Sequence, residues 1–221
     1  TQLTEAVAAD VQRVLLSPAT RDVVRKKAAL TLLRLYRIDE TVIDLEESAG
    51  PLIGLLEQKN IGVRIAVVSL LLNMVSSSTQ YLEDCVPRCI MCLTQLVIHK
   101  ACPSDYLYYN TACPWLQVKL LRMLQYFPLP TDSTLVGRLN EVLERILTRT
   151  EVTKSVNKNN SDHSILFEAI NLIIHQEYRS DEKLRSKAVE LLGKYIAVRE
   201  PNIRYLGLSS MSKLAKFAND T

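Results

Sequence analysis

The stretch Val24-Arg25-Lys26-Lys27-Ala28, followed by Leu32, decides the fold, because versions of it recur along the chain. The phrase begins with an aliphatic residue and an Arg. A compact residue lies three positions after the Arg, and an apolar residue lies four positions after the compact residue. Val63-Arg64-Ile65-Ala66-Val67, followed by Leu71, begins 39 residues after Val24. Further versions begin at Leu184 and Ile203, and a looser one begins at Leu116. Helical phrases repeated at periods near forty residues indicate stacked helix pairs of the HEAT or armadillo kind.

The repeat predicts two kinds of structural position. The recurring Arg is expected to hydrogen-bond along the stack to a neighbouring acid or backbone carbonyl. The compact residue is expected to be buried. The Arg positions are Arg25, Arg64, Arg185 and Arg204, and the compact positions are Ala28, Val67, Ala188 and Gly207.

The predicted fold class is all-α, a right-handed alpha-alpha superhelix of the HEAT/armadillo-like solenoid type, forming a single helical-repeat segment over residues 1–221. Apolar residues make up 48% of the chain and only 6 of its 221 residues are Gly. No stretch alternates with the period of two that is typical of strands. Helices are predicted over about residues 20–37, 40–57, 61–75, 83–99, 115–127, 133–149, 165–176, 181–198 and 201–217.

Local signals mark the ends of these helices. Thr20 and Ser180 are predicted N-caps, as is Asp132 or Ser133, and Pro201 suits a first helical turn. Gly50-Pro51 is expected to bend or restart the second helix, and the helix over 61–75 is expected to be buried all round. Residues 150–162 are rich in Asn, Ser and Lys with little to bury, so they are predicted to form a flexible loop.

Charge and composition restrict the partners and the compartment. Lys and Arg number 27 and Asp and Glu number 24, a formal net charge of +3 that is too small to indicate a dedicated nucleic-acid binder. Charged residues interrupt the most apolar stretch, residues 52–74, so no transmembrane segment is predicted. Five cysteines without a framework spacing, and no leader sequence, favour reduced thiols in the cytosol. We expect the chain to be a piece of a longer protein, since Thr1 is not an initiator Met.

Three cysteines share one helical stripe. Cys85, Cys89 and Cys92 follow i, i+4, i+7 spacing, and His99 extends the stripe. Zinc accepts thiolate and imidazole ligands. However, Cys85 and His99 would lie about 21 Å apart along one helix at 1.5 Å per residue, so one ion cannot bind both. Buried thiols in a helix–helix seam are the favoured interpretation, and zinc held by some of these cysteines with a later one is the alternative.

A basic cluster lies in the first strong helix. Its members are Arg21, Lys26, Lys27, Arg34 and Arg37. They form a candidate patch for an acidic partner or for anionic lipid head groups. The alternative is an ordinary solvated face.

An aromatic stretch interrupts the helical pattern. Tyr106, Tyr108, Tyr109 and Trp115 fall within or beside residues 102–114. They offer a docking surface, since aromatic residues contribute much of many interfaces, or they pack a distorted connection between repeats. The second interpretation is favoured.

No arrangement of residues indicates catalysis. A Cys–His hydrolase needs an activated thiolate beside a base, and the chain has three histidines and no glycine-rich turn beside a cysteine. It also lacks a phosphate-cradling glycine loop. We therefore predict that the chain is not an enzyme and has no catalytic residues, no metal site and no cofactor.

Four segments, in order along nearly the whole chain, resemble the trunk of the large adaptins. They are AALTLLRLYR over 28–37, PWLQVKLLRMLQ over 114–125, ILFEAINLIIH over 165–175 and NIRYLGL over 202–208. The Pro-Trp-Leu opening at Pro114, the Phe-Glu-Ala-Ile phrase at Phe167 and the Tyr-Phe-Pro-Leu-Pro ending at 126–130 are most similar to the alpha type. The Leu-Ile-Ile-His phrase at Leu172 is also similar to the alpha type, and the gamma type usually differs at this phrase and at Phe-Glu-Ala-Ile.

The resemblance implies a helical solenoid in a heterotetrameric clathrin adaptor, which collects cargo and clathrin at the inner face of the plasma membrane in endocytosis. The implied partners are the small sigma chain, a beta-type large chain and the medium chain. Membrane and phosphoinositide association would be indirect, through regions that match nothing here, and no nucleic acid is expected. The rivals are another HEAT scaffold, such as a different coat subunit or a nuclear transport receptor, and a nucleic-acid-binding helical repeat, which the charge balance disfavours.

Overall fold

The computed structural model describes residues 2–150, 153–175 and 181–219. Ten α-helices and two short strands make up the regular structure of these residues, apart from single 3-10 turns. The helices are α1 (Gln2–Leu16), α2 (Asp22–Ile38), α3 (Leu45–Gly54), α4 (Ile61–Ser77), α5 (Cys85–Val97), α6 (Pro114–Leu124), α7 (Ser133–Arg149), α8 (Val156–Ile174), α9 (Glu182–Ile196) and α10 (Pro201–Asn219). The strands are β1 (Leu107–Tyr108) and β2 (Thr111–Ala112). The predicted all-α class is confirmed.

The chain forms two compact units. The N-terminal unit covers residues 1–92 and the C-terminal unit covers residues 93–221. Helix α5 contributes to both units, because it runs across residue 92. The single helical-repeat segment expected over residues 1–221 stays a prediction.

In the N-terminal unit, α2 packs against α1 and α4. Leu32, Leu52 and Leu70 are fully buried in its core, and burying each such side chain contributes about 1.5–3 kcal/mol. Helix α4 buries residues on all its faces. This confirms the prediction that the segment over 61–75 is surrounded by neighbours.

The segment predicted as one bent helix over 40–57 is three helical pieces. A 3-10 turn (Glu40–Val42) precedes α3, and a second 3-10 turn (Leu55–Glu57) follows it. Asp39 and Asp44 cause the division, because each accepts backbone N–H bonds and so starts a new element. Pro51 lies inside α3, which continues to Gly54, so the helix does not restart at Gly50-Pro51, and the alternative of a bend there stays a prediction.

In the C-terminal unit, α8 packs against α6, α7, α9 and α10. Leu166, Ala169 and Ile170 of α8 are fully buried, and Phe167 is nearly so. The last two helices, α9 and α10, also pack against each other. Helix α8 is therefore the central helix of this unit.

A tight hairpin stands where the sequence predicted only irregular structure. Strands β1 and β2 are antiparallel, with Leu107 opposite Ala112 and Tyr108 opposite Thr111. The two residues between them, Tyr109 and Asn110, have φ values of 49° and 64°, as a type I′ turn requires. Two-residue strands are too short to show an alternating pattern in the sequence.

The structure differs most from the sequence prediction at residues 150–162. Helix α8 begins at Val156, where the sequence predicted a loop and a helix start near Ile165. The Ser155 side chain caps this helix by accepting the N–H of Lys158. Lys158 also forms an ion pair with Asp162 one turn later, with an N–O distance of 2.6 Å. Polar contacts stabilise the first two turns of α8, so these turns show no apolar periodicity in the sequence. Residues 151 and 152 lie outside the described part.

Some of the predicted helix caps are confirmed, and one is wrong. Asp132 caps α7, and Pro201 is the first residue of α10, as predicted. Thr20 does not cap α2, since Arg21 holds the N-cap position without a side-chain bond. Ser180 lies outside the described residues, and Asp181 caps α9 by accepting the N–H of Leu184. None of the helices that the structure describes has the length and apolar character needed to cross a membrane.

Candidate interaction surfaces

The recurring Arg caps the end of a preceding helix in the N-terminal unit. Arg25 is 5% exposed, and its Nε donates to the carbonyl oxygen of Leu15 at 3.0 Å. Leu15 lies in the last turn of α1, where carbonyls have no partner within the helix. Arg25 therefore satisfies a buried acceptor that the helix itself leaves open.

Arg64 repeats this arrangement one helix pair later. Its Nε and Nη2 both donate to the carbonyl oxygen of Gln58, at 3.0 Å and 2.6 Å, just after the 3-10 turn that ends at Glu57. The side-chain oxygen of Gln58 accepts from Nη1 of Arg25 at 3.0 Å. One residue thus joins two arginines that stand 39 positions apart in the sequence. Gln58 lies outside the repeated phrase, so the repeat pattern does not identify it.

The other two predicted arginines are placed differently. Arg185 is half-buried and Arg204 is exposed, so Arg204 does not occupy the interior position that the repeat predicts. The end of the preceding helix explains this, because the carbonyls of Lys194 and Tyr195 already accept the backbone N–H groups of Ala197 and Val198. An arginine is not needed to cap them.

The four compact positions are all buried. Ala28 is 7% exposed, and Val67 and Ala188 are fully buried. Gly207 is buried in α10, where an added Cβ would lie 3.2 Å from Cγ2 of Ile196 in α9. The compact residue therefore lets helices approach closely in both units.

The cysteine stripe lies inside the fold. Cys85, Cys89 and Cys92 are buried, which places them where the favoured interpretation expected. Burial raises the pKa of Cys85 to about 12 and raises the pKa of Cys89 well above its usual range, so both remain thiols. Within the described ranges, no three His, Cys, Asp or Glu side chains converge as a metal site would require.

The predicted basic patch forms part of the outer surface of α2. Arg21, Lys27, Arg34 and Arg37 are exposed, and Lys26 is half-buried. Apolar side chains accompany them, with Val23 57% exposed, Leu30 42% and Ile38 71%. We call this set of cations and aliphatic residues the basic face of α2. In the described chain, none of its five cations forms a side-chain ion pair.

The aromatic stretch forms a small surface cluster. The Tyr108 ring lies edge-on to Tyr109, with centroids 4.8 Å apart, and lies 5.3 Å from Trp115. Tyr109 and Trp115 are about half exposed, and the Tyr109 hydroxyl accepts from Nδ2 of Asn157 at 2.8 Å. The rings both brace the hairpin and remain accessible, so the two interpretations of this stretch are compatible. Tyr106 is half-buried beside them.

Two of the sequence segments that resemble the adaptins meet between α6 and α8. Arg122 forms an ion pair with Glu168, and Nε2 of Gln125 donates to Oε2 of Glu168 at 2.9 Å. The hydrogen bond to Glu168 raises the pKa of Arg122. Glu168 is mostly buried and Arg122 half exposed, so this polar link stabilises the packing of α6 against α8.

A cavity of about 300 Å³ in the C-terminal unit was not predicted. It lies among α7, α8, the hairpin and the end of α5. Its cationic lining residues are Lys100, Arg145, Arg149 and Lys158. They are distributed over almost sixty positions of the sequence, so no local pattern reveals them. We call this cavity the basic pocket.

These features define a helical-repeat protein whose polar residues cap and join helices in the interior and present charged and aromatic surfaces outside. The chain belongs to the adaptin family, because the adaptin N-terminal region matches it over residues 1–221. The resemblance identified in the sequence is thereby confirmed, and with it the helical solenoid class of the fold.

Similar proteins include alpha subunits of AP-2 complexes. The chain is 44% identical to AP-2 complex subunit alpha-1 of Arabidopsis thaliana, over 95% of this chain. It is 38% identical to AP-2 complex subunit alpha-2 of Dictyostelium discoideum, over 96% of this chain. It is also 31% identical to AP-1 complex subunit gamma of Dictyostelium discoideum, over 86% of this chain. The chain spans about a fifth of the length of these relatives, 21% for the first.

Proposed function

We propose that this chain is a trunk segment of an alpha-type large subunit in a clathrin adaptor complex. The observation that carries this proposal is the 44% identity to an AP-2 alpha subunit over 95% of the chain, against 31% over 86% for an AP-1 gamma subunit. The proposed role is that of a structural scaffold in endocytosis and intracellular protein transport, without catalysis.

The proposed partners are the small sigma chain, a beta-type large chain and the medium chain, and the proposed location is the cytoplasmic face of the plasma membrane at coated pits. A scaffold must hold its partners at fixed spacing, so the ends of its helices must be rigid. The bonds from Arg25 and Arg64 to Leu15 and Gln58 support such a role. Each replaces a solvent contact at a helix end with a charge-assisted hydrogen bond, which is buried at Leu15 and part-buried at Gln58.

Co-expression with small chains tests the proposal. The chain is co-expressed with the sigma subunit of an AP-2 complex and, separately, with the sigma subunit of an AP-1 complex, and capture is quantified. We expect selective capture of the AP-2 sigma subunit. Preferential capture of the AP-1 sigma subunit would overturn the alpha assignment.

A full-length parent chain is the control for a truncated interface. If the 221-residue chain captures neither sigma subunit, the same assay with the full-length parent chain distinguishes a truncated interface from a wrong assignment. Capture of the AP-2 sigma subunit by the parent supports the proposal and shows that more of the trunk is needed. No capture by the parent contradicts the proposed role.

For the basic face of α2, we propose contact with an acidic surface. Its exposed cations flank exposed aliphatic side chains, an arrangement that suits the interface of an anionic membrane. Sedimentation with phosphatidylserine vesicles should decrease when Lys27, Arg34 and Arg37 are changed to Gln, and should decrease with salt. Equal sedimentation of the variant would remove lipid as the partner and leave an acidic protein, which pull-down with the assembled adaptor complex would then test.

A further inference from the structure

The basic pocket has the size and shape of a small-ligand site. Its volume of about 300 Å³ is at the lower end of the range for ligand pockets in proteins. All of its lining residues belong to the C-terminal unit. It therefore exists within one compact body.

The walls of the pocket are fixed by short hydrogen bonds. Asp162 accepts from Oγ1 of Thr111 at 2.6 Å and from Nζ of Lys158 at 2.6 Å, which ties the hairpin to α8. The buried Gln117 donates from Nε2 to the carbonyl oxygen of Ala112 at 2.6 Å, which ties the hairpin to α6. These bonds link three elements that line the pocket.

The charge of the pocket is unbalanced. Asp162 neutralises Lys158 through their ion pair, and among the residues that the structure describes it is the only carboxylate that lines the pocket. Lys100, Arg145 and Arg149 form no ion pair with any residue in the part of the chain that the structure describes. Lys100, Arg145 and Arg149 are exposed to solvent at the cavity, and no described carboxylate pairs with them.

Interaction with the dipole at a helix C-terminus explains the position of only one of these three cations. Arg149 lies in the last turn of α7, where a cation interacts favourably with the helix dipole. Arg145 lies one turn earlier, and Lys100 lies three residues beyond the end of α5. Those two cations are not explained by the dipole.

The pocket also has an apolar part, which restricts the kind of anion. Leu96, Val97, Ile146 and Ile165 line it alongside the cations, and since each is at most 7% exposed, the apolar area that they offer is small. A free polyphosphate or a sugar phosphate would leave these side chains covered only by polar groups. A phosphorylated side chain with an apolar neighbour on the same peptide would cover both parts.

We propose that the basic pocket binds a phosphorylated serine or threonine of a partner peptide, together with an adjacent apolar side chain. Lys100, Arg145 and Arg149 contact the phosphate dianion, whose charge matches clustered cations better than a single carboxylate does. Ile146 and Ile165 contact the apolar neighbour. This inference goes beyond the proposed adaptor function and does not depend on it.

Methyl NMR of the 221-residue chain tests the site directly. The probe is the peptide acetyl-Leu-phosphoserine-Leu-amide, added to protein labelled at the isoleucine methyl groups. We expect saturable shifts of the Ile146 and Ile165 signals, with Ile43 and Ile53 of the N-terminal unit unchanged. The unphosphorylated peptide should bind at least about tenfold more weakly, because it lacks the charge-assisted hydrogen bonds.

Matched variants locate the binding charge. Changing Lys100, Arg145 and Arg149 to Gln should weaken phosphopeptide binding by about tenfold or more. Changing Arg204, Lys213 and Lys216, which are exposed on α10, to Gln removes the same number of charges and should leave the affinity unchanged. If the first triple variant fails to fold, as its circular dichroism would show, Arg145→Gln alone replaces it, with an expected loss of about threefold or more.

Several results would overturn the proposal. These are equal binding of the two peptides, undiminished binding by the pocket variants, and absence of saturable shifts at Ile146 and Ile165. Binding only to vesicles that contain phosphatidic acid, and not to the soluble phosphopeptide, would also overturn it and identify a lipid ligand. Equal displacement by inorganic phosphate and by the unphosphorylated peptide would exclude a role for the phosphate group.

Discussion

The N-terminal unit and the C-terminal unit carry the same sequence phrase but use its arginine differently. Arg25 and Arg64 are buried and donate to carbonyls at the ends of preceding helical segments. Arg204 is exposed, because backbone N–H groups already satisfy the carbonyls at the end of α9. The phrase therefore specifies a helix with an available Arg, and the end of the preceding helix determines whether that Arg is buried.

The compact position behaves alike in both units. Ala28 and Ala188 are both buried. A close approach of two helices needs a small side chain, and this need does not depend on how the carbonyls at the helix ends are hydrogen-bonded. The phrase therefore predicts burial of its compact residue in both units, but it does not by itself predict whether its Arg is buried and hydrogen-bonded.

Ala188→Glu and Ala28→Glu should each destabilise the fold by about 3–5 kcal/mol, because each buries a charge without a partner. The measurement is urea unfolding followed by circular dichroism. Ser186→Glu is the control, since Ser186 is exposed on the same helix as Ala188 and should change stability by less than about 0.5 kcal/mol. A near-neutral Ala188→Glu would show that the repeat register is wrong.

Arg64→Met should destabilise the N-terminal unit by about 1–2 kcal/mol, because it leaves the part-buried carbonyl of Gln58 without its donor. Arg204→Met should cost less than about 0.5 kcal/mol, as expected for an exposed side chain. Both variants are compared by the same urea titration. Similar costs at the two positions would remove the distinction between the units.

Gly207→Ala and Gly193→Ala should differ by about 1 kcal/mol or more. Both replacements favour a helix by about 1 kcal/mol, and an added Cβ at Gly193 meets nothing within 4 Å. At Gly207 the Cβ would press against Ile196, which offsets the gain. We expect a higher melting temperature for Gly193→Ala alone, and a rise of equal size in both variants would contradict close packing at Gly207.

The smallest effect concerns pH and the C-terminal unit, which contains all three histidines of the chain. Burial lowers the pKa of His163, and its Nδ1 lies 2.7 Å from the carbonyl oxygen of Asn159. Nε2 has no hydrogen-bond partner among the described residues, so a proton added there would be buried and unpaired. The unfolded state therefore binds this proton more readily, and stability should fall as pH decreases through about 6.5.

The measurement is the melting temperature at pH 7.5 and at pH 5.5. His163→Phe keeps an aromatic ring beside Tyr195, which the His163 ring contacts edge-on at 5.2 Å, and removes the titration. The decrease in melting temperature should be smaller in this variant than in the unchanged chain. An equal decrease would assign the pH dependence to other groups.

Much of the fold was predictable because the helices are amphipathic or fully buried, and both kinds leave a periodic pattern. Helices α4, α7 and α10 begin where the sequence predicted, at Ile61, Ser133 and Pro201. The start of α8 was missed, since its first turns are stabilised by Ser155, Lys158 and Asp162. Polar contacts of this kind depend on three-dimensional positions and leave no periodic signal.

The candidate sites show the same limit. The basic face of α2 was predictable, because its five cations lie at the N-cap and along one helix and are therefore close both in sequence and in space. The basic pocket was not, because Lys100, Arg145 and Lys158 lie on different elements. Their proximity follows from the packing of α7 and α8 and from the position of the hairpin.

The sequence by itself determined the all-α class, the repeated helical phrase, the buried compact positions and the likeness to adaptins, since each of these is written in local spacing and residue type. The tertiary structure alone decided which arginines are buried, that Gln58 joins two of them, and that three cations surround one cavity. The physical reason is that a hydrogen bond or a charge cluster needs partners at distances of a few ångströms. Only the packing of helices distant in sequence brings such partners together.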